Sequence, residues 1–317
     1  MGLRSGGDRG APLRGVLREL DTDRAEVTRE LAVEVPARLT AGAASDQELT
    51  GACWSPEGTL LQAAHTELLW IDPVRLAVVR RLSHAAFHSV HGAAPWRGGV
   101  VVASTGADAV LDLDGDGVLR HEHRLGRARP PGVDLRQLDH DALKPHLVHP
   151  NHVQPVGDAL WVTRFEDRAA ACLVSGRRIP LPEAMPHDGR LRGGLLWFTQ
   201  VTGRVVAVDP VTLERRVELD LAVLTGEPRM LGWCRGVEVV GSRLFVGFSM
   251  LRRTRHREVL RLMVRGIRGQ KLPTRVVEVD LDGPRVVGSF ELGNAAGGTI
   301  YAITAPEALT ETPGAGR

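Results

Sequence analysis

Five of the twelve histidines, His88, His91, His149, His152 and His187, recur in similar settings along the chain. His88-x-x-His91 and His149-x-x-His152 repeat one spacing, and His187 is followed by Asp188. Imidazoles brought together from distant segments could ligate a divalent transition metal. They could equally transfer protons, because imidazole titrates near neutral pH. A third use is structural, with His and Asn hydrogen-bonding neighbouring segments. Within the group, His91, His152 and His187 are favoured, as metal ligands or as proton carriers, and the implied cofactor is a divalent metal ion. Asn151 and Asp188 stand beside them and could orient the rings from behind. Arg235 could hold a carboxylate or phosphate through two parallel hydrogen bonds, or pair with Glu238 or Asp188. Cys234 reads as a ligand or nucleophile, or as a buried structural thiol.

These residues need a scaffold, and a recurring phrase supplies it. Each copy has a polar or Gly residue, about six residues, a Gly-containing turn and an apolar strand. Aligned on the turn, the copies start at Gly51, His91, Asn151, His187 and Arg235, in steps of 40, 60, 36 and 48 residues. Self-similarity of this length marks a propeller or solenoid. The later half of most copies has an apolar strand ending in Asp before a tight turn, as in Leu68–Asp72, Val205–Asp209 and Val277–Asp280. That is a hairpin signal, and two hairpins make one four-stranded blade. In such a ring the first strand of each blade lines the axis. The five starting positions would then meet at one mouth, a default ligand site.

The fold expected is all-β: a six-bladed β-propeller closed by a composite N-/C-terminal blade. Gly15–Asp21 and Glu26–Val33 read as its outer hairpin, and Gly298–Ile303 as its inner strand. The domain would span 13–305, after a disordered N-terminus at 1–12 and before a tail at 306–317. Insertions are expected at 127–148 and 251–274. From Arg252 to Arg275 there are nine Arg or Lys and one acid. This basic stretch reads as a solvated loop or short helix, as a lid, or as a contact for an anion or a protein partner.

Composition narrows the function. The net charge of +2 and the single Tyr argue against a nucleic-acid platform. Three scattered cysteines give no disulfide framework, and the Gly/Arg-rich start has no apolar core of a secretory signal. The expected location is the cytoplasm. No phosphate loop, dinucleotide fingerprint, G-x-S-x-G elbow or HExxH is present. Asp112-Leu-Asp114-Gly-Asp116-Gly117 mimics the start of a calcium loop, but its position between two strand signals fits a hairpin turn better.

Two segments carry a resemblance. Pro186-His187-Asp188-Gly189…Leu196–Thr199…Gly203–Asp209 and His91-Gly92…Val101–Ser104 resemble six-bladed propellers of the gluconolactonase/senescence-marker and virginiamycin B lyase type. Cys234-Arg235-Gly236…Leu244–Ser249 looks closer to an uncharacterised bacterial propeller family with no assigned activity. The likeness spans roughly residues 48 to 305 at the level of the repeat. Gluconolactonase-like families hold a divalent metal at the channel with carboxylate and Asn ligands, whereas this chain presents mainly His there. The lyase family uses a mouth histidine and Mg²⁺, and His187 occupies a similar context with Asp188 interposed. The expectation is an enzyme with a His-lined, metal-assisted mouth. It would act on a small polar or anionic molecule by hydrolysis or lyase-type elimination, as in secondary metabolism. The alternative is a non-catalytic ligand- or protein-binding propeller using the same face and the basic insertion.

Overall fold

Apolar runs of five or six residues, too short for helices and rich in Val, Leu and Trp, pair antiparallel with their sequence neighbours throughout. The computed structural model describes residues 2–5, 14–34, 48–126, 132–139, 141–226, 231–250, 272–292 and 298–306. The N-terminal strands β1 (Gly2–Ser5), β2 (Arg14–Asp21) and β3 (Glu26–Val33) form a three-stranded sheet. Five four-stranded sheets follow. The first blade is β4 (Leu49–Trp54), β5 (Leu60–Ala64), β6 (Leu68–Asp72) and β7 (Ala77–Leu82); the second is β8 (Val90–Trp96), β9 (Gly99–Ser104), β10 (Ala109–Leu113) and β11 (Leu119–Arg124). The third is β12 (Pro150–Val156), β13 (Ala159–Arg164), β14 (Ala169–Cys172) and β15 (Arg178–Pro180); the fourth is β16 (Pro186–Arg192), β17 (Leu195–Gln200), β18 (Arg204–Val208) and β19 (Arg215–Asp220). The fifth is β20 (Trp233–Val240), β21 (Arg243–Ser249), β22 (Arg275–Asp280) and β23 (Arg285–Glu291). Among the described residues no helix is long and apolar enough to cross a membrane.

The ring is held by faces, not edges. The second strand of each blade lies between two neighbours, so both its faces are covered; β5 is buried at every position. Leu61 and Leu68 of the first blade pack on Val100, Val102 and Leu111 of the second. Trp197, Val205 and Ala207 of the fourth pack on Val237, Leu244 and Val246 of the fifth. Outer strands such as β23 alternate with solvent. The Asp-ended strands behave as their chemistry dictates. Asp72 Oδ1 accepts from Val74 and Arg75 N–H at 2.8 and 3.0 Å, and Asp209 repeats this with Val211 and Thr212. Asp114 accepts from Asp116 and Val118 N–H in the β10–β11 turn, so the calcium-like stretch is a hairpin turn.

The all-β propeller is therefore present, with five four-stranded blades where six were expected. The three-stranded N-terminal sheet stands between the last blade and the first. Val16 packs with Val276 and Phe290 of the fifth, while Leu17 and Val33 pack with Leu49, Leu60 and Leu69 of the first. Gly2–Ser5, expected to be disordered, is a strand paired on β2. Gly298–Ile303, expected to be the missing inner strand, is not a strand. Ile300 makes an isolated bridge, and side chains hold the rest: Ser249 Oγ accepts from Ile300 N–H at 3.0 Å, Thr274 Oγ1 donates to Gly298 O at 2.8 Å, and just beyond, Glu238 accepts from Ala305 N–H at 3.3 Å. Near the axis the backbones crowd. A Cβ on Gly51 would lie 2.4 Å from the His91 carbonyl oxygen, so only Gly fits that position.

Candidate functional site

The inner strands β4, β8, β12, β16 and β20 bring their first residues to one end of the axis. A cleft of about 20 Å³ there is lined by Gly51, His91, Asn151, His152, His187, Asp188, Arg190, Arg235, Tyr301 and Ala302. His91, Asn151, His152, His187, Asp188 and Arg235, favoured from the sequence, all line it, whereas His88, His149 and Cys234 do not. The volume is about that of one water molecule, so only the tip of a ligand can enter.

Arg190 closes the cleft from below. It is 3 % exposed, its Nη2 donates to Ala52 O across the axis at 2.8 Å, and it lies 3.6 Å from Glu238. Arg192 donates to the same Glu238 carboxylate at 2.8 Å. Glu238, itself 1 % exposed, is therefore the shared counter-ion of two guanidinium groups. Nothing in the repeat pattern singled out Arg190 or Glu238. The one available signal was a charged pair, Arg190 and Arg192, in a strand otherwise expected to face the core.

The histidines divide into distinct roles. His88 lies inside the wall, with Nε2 at 3.2 Å from Asp139 O and its ring edge-on to His65, so it takes no part in the mouth. His152 lines the cleft, but burial holds it neutral down to about pH 3, helped by the charges of Arg190 and Arg192. His187 is 3 % exposed and met on both sides by N–H groups. Asn151 Nδ2 lies 2.9 Å from its Nδ1, and Trp233 Nε1 donates to its Nε2 at 3.3 Å. An imidazolium there would turn N–H against N–H; burial first, then Arg235, His149 and His91, push its pKa well below the usual value. His91 donates from Nδ1 to Ser89 O at 2.7 Å, which places its basic lone pair on Nε2.

His149, which sequence reading only paired with His152, proves central. Its ring sits 5.3 Å from His91 and 4.9 Å from Phe165, and its Nδ1 is 3.1 Å from Nδ1 of His146. Burial, and then His91, His146, Arg235 and Lys144, keep it neutral. His146 belongs to the insertion expected at 127–148, whose described part carries the buried Leu135, and His149 follows directly after it. Asp108 docks that loop. Its carboxylate, 5 % exposed, accepts from the N–H groups of Leu147, Val148 and His149 at 2.6, 3.2 and 2.8 Å.

Among the described residues no three His, Cys, Asp or Glu side chains are grouped to hold a metal ion. His91, His152 and His187 share the cleft, where Asn151 and Trp233 face the two ring nitrogens of His187 and His152 is half-buried. Asn151 does orient His187. Asp188 does not touch a histidine ring; it accepts from Thr199 Oγ1 at 2.6 Å and Gly236 N–H at 3.0 Å, pinning the fourth blade to the fifth. Cys234 is fully buried, and burial pushes its thiol well above the ordinary range, so it is no thiolate at neutral pH.

Arg235 is the remaining cation. Its guanidinium stacks 4.6 Å over Tyr301 and 5.9 Å over Trp233. Glu238, one of its two expected partners, is taken by Arg190 and Arg192. Asp188, the other, feels the charge of Arg235 but bonds elsewhere. Arg235 Nε has no hydrogen-bond acceptor among the described residues. Phe165 continues the wall, 5.1 Å from His187 and 6.4 Å from Trp233. The mouth is thus an arc of rings, His91–His149–Phe165–Trp233–Tyr301, around one guanidinium. The basic stretch at 252–275 lies outside the described residues up to position 271.

Larger clefts lie elsewhere. One of 630 Å³ opens at the opposite end between the first and second blades, lined by Trp70, Trp96, Arg80 and Arg97. Its cations are engaged: Arg80 donates to Gly115 O, and Arg97 faces Asp158 at 3.8 Å.

No protein-family model matches the chain, and no curated protein matches its sequence. The resemblance to lactonase-like and lyase-like families rests on the quoted motifs alone. A solved structure of a protein of unknown function from Bacteroides caccae superposes with a TM-score of 0.57 at 14 % identity, covering 91 % of this chain and 93 % of that one. The β-propeller domain of Cps50 (Swd1) from Myceliophteria thermophila aligns at 13 % identity with a TM-score of 0.42, over 77 % of this chain and 87 % of that one. At such identity the Bacteroides likeness shows a shared fold and nothing about activity.

Proposed function

We propose that the mouth binds a small anionic molecule through Arg235 and acts on it by proton transfer, opening either hydrolysis or a lyase-type elimination. The carrying observation is a partly buried guanidinium stacked on two rings, with no acid paired to it among the described residues. Such a cation is held ready for an external carboxylate or phosphate. The 20 Å³ cleft admits the anionic tip, and the aromatic arc supports the rest of the molecule outside. His91, with its lone pair on Nε2, is the proton acceptor: in hydrolysis it takes a proton from water as the oxygen attacks an ester carbonyl and the alkoxide leaves, and in elimination it takes one from the carbon beside the carboxylate as the C–H pair forms a double bond and the β-substituent leaves; in both the proton returns to the leaving group. His149 stands behind it. His152 and His187 shape the site and leave proton transfer to these two.

Titration with acetate tests the binding step. The wild-type protein should saturate, and Arg235→Gln should bind at least about tenfold more weakly, the order expected for a lost charged hydrogen bond. Equal affinity for the two proteins would end this reading. For the chemical step, a p-nitrophenyl half-ester of succinic acid serves as probe. His91→Gln should slow its turnover by about 10²–10⁴-fold while acetate binding stays within threefold. Equal rates would leave a binding site without chemistry, the second reading drawn from the sequence.

We also propose that the N-terminal sheet and the 298–306 segment together act as the sixth member of the ring. Ile300 is fully buried against Val16, Val276 and Phe290. Ile300→Val should therefore cost about 1 kcal/mol in equilibrium unfolding; no change would argue that the segment does not close the ring.

A further inference from the structure

Resting on the anion-binding reading above, we infer that the ligand is a 2-hydroxy carboxylate: its carboxylate sits on Arg235, and the neighbouring hydroxyl donates to Asn151 Oδ1 inside the cleft. Asn151 lines the cleft and is 6 % exposed. Its amide is oriented from outside, because Nδ2 donates to Pro186 O at 2.9 Å and lies 2.9 Å from His187 Nδ1. The other end of the amide is therefore the acceptor, and Oδ1 has no donor among the described residues. A buried acceptor left unmet is costly, so this atom calls for a donor. Arg190 and Arg235 line the same cleft, and the Nε–H of each has no acceptor among the described residues. His152 Nε2, also in the lining, is likewise unmet.

These demands have opposite polarity, and together they select the ligand. A carboxylate only accepts, so it answers a guanidinium and leaves Asn151 Oδ1 bare. An ammonium donates, but it would stand beside two guanidinium groups. A hydroxyl does both: it donates to Asn151 Oδ1 and accepts from Arg190 Nε or His152 Nε2. It is uncharged and about as large as water, which suits a cleft of 20 Å³. Because the cleft admits only a tip, the hydroxyl belongs on the carbon next to the carboxylate. Other polar atoms of the lining are engaged. Asp188 accepts from Thr199 and Gly236, Gly51 O accepts from Gln62 Nε2 at 3.0 Å, and Tyr301 donates to Glu48. Both nitrogens of His187 face N–H groups, and His91 Nε2 serves the reacting proton.

Calorimetry at pH 7 with acetate, glycolate and methoxyacetate tests this. All three are ionised there, and methoxyacetate keeps the ether oxygen but has no proton to donate. Glycolate should bind the wild-type protein at least about fivefold tighter than acetate, the order expected when a buried acceptor gains its hydrogen bond. Methoxyacetate should show no such gain. In Asn151→Leu, which removes the acceptor, glycolate and acetate should bind within about twofold of each other. Should that variant fail to fold, the comparison of the three acids on the wild-type protein decides alone. Glycolate no tighter than acetate would mean that water serves Asn151 Oδ1 whatever is bound; it would overturn the inference and leave the Arg235 reading standing. Methoxyacetate matching glycolate, or a glycolate preference that survives in folded Asn151→Leu, would overturn it as well. Absence of binding by all three acids would overturn both.

Discussion

Glu238→Ala should destabilise the protein by about 3–5 kcal/mol, the scale seen when a buried ion pair loses one partner. Buried Arg190 and half-buried Arg192 would be left as neighbouring cations without their shared carboxylate, and the Ala305 N–H would lose its acceptor. Equilibrium unfolding at pH 7 reads the loss. The physical cause is testable in the same experiment, because the harm lies in an uncompensated charge rather than in lost volume. Arg190→Met combined with Glu238→Met should be less destabilising than Glu238→Ala alone, as apolar replacements of buried pairs tend to be. A single variant within 1 kcal/mol of wild type would show that water reaches the pair and that the axis is not sealed.

Asp108→Ala should cost about 3 kcal/mol, since three backbone N–H groups lose one carboxylate and the alanine must keep a positive φ of 46°. The local effect is more telling than the global one. The amides of Leu147, Val148 and His149 should lose their hydrogen-exchange protection, and the arc of rings should lose His149, with His146 behind it. Acetate affinity should then fall even though Asp108 touches no ligand. Retained protection at those three amides would mean the loop is docked by other contacts.

Much of this architecture was written in the chain. The phrase starting at Gly51, His91, Asn151, His187 and Arg235 marked the inner strands, because a strand beginning at the axis needs a short polar or Gly residue and then an unbroken apolar partner. The Asp-ended strands marked the outer hairpins through their side-chain-capped turns. The convergence of the named residues on one cleft followed from that register. What failed to read is equally physical. His88 and His149 occupy equivalent places in a repeated spacing, yet one faces the wall and the other the mouth, since a three-residue offset says nothing about which side of an irregular connection a ring will take. The C-terminal segment has strand composition, but its hydrogen bonds go to Ser249 and Glu238 side chains, which no pattern of apolar residues reveals. Asp108 looked like an ordinary loop acid; its role depends on amides forty residues away.

The position of Arg190 also separates two faces. A guanidinium bridging the first, fourth and fifth blades stands across the hollow, between the mouth and the far side of the toroid. The doorway lies on one side of it, and the far side, with its larger cleft, on the other. That far side is where a tether, a surface or a fused domain can be attached without obstructing arrival or departure.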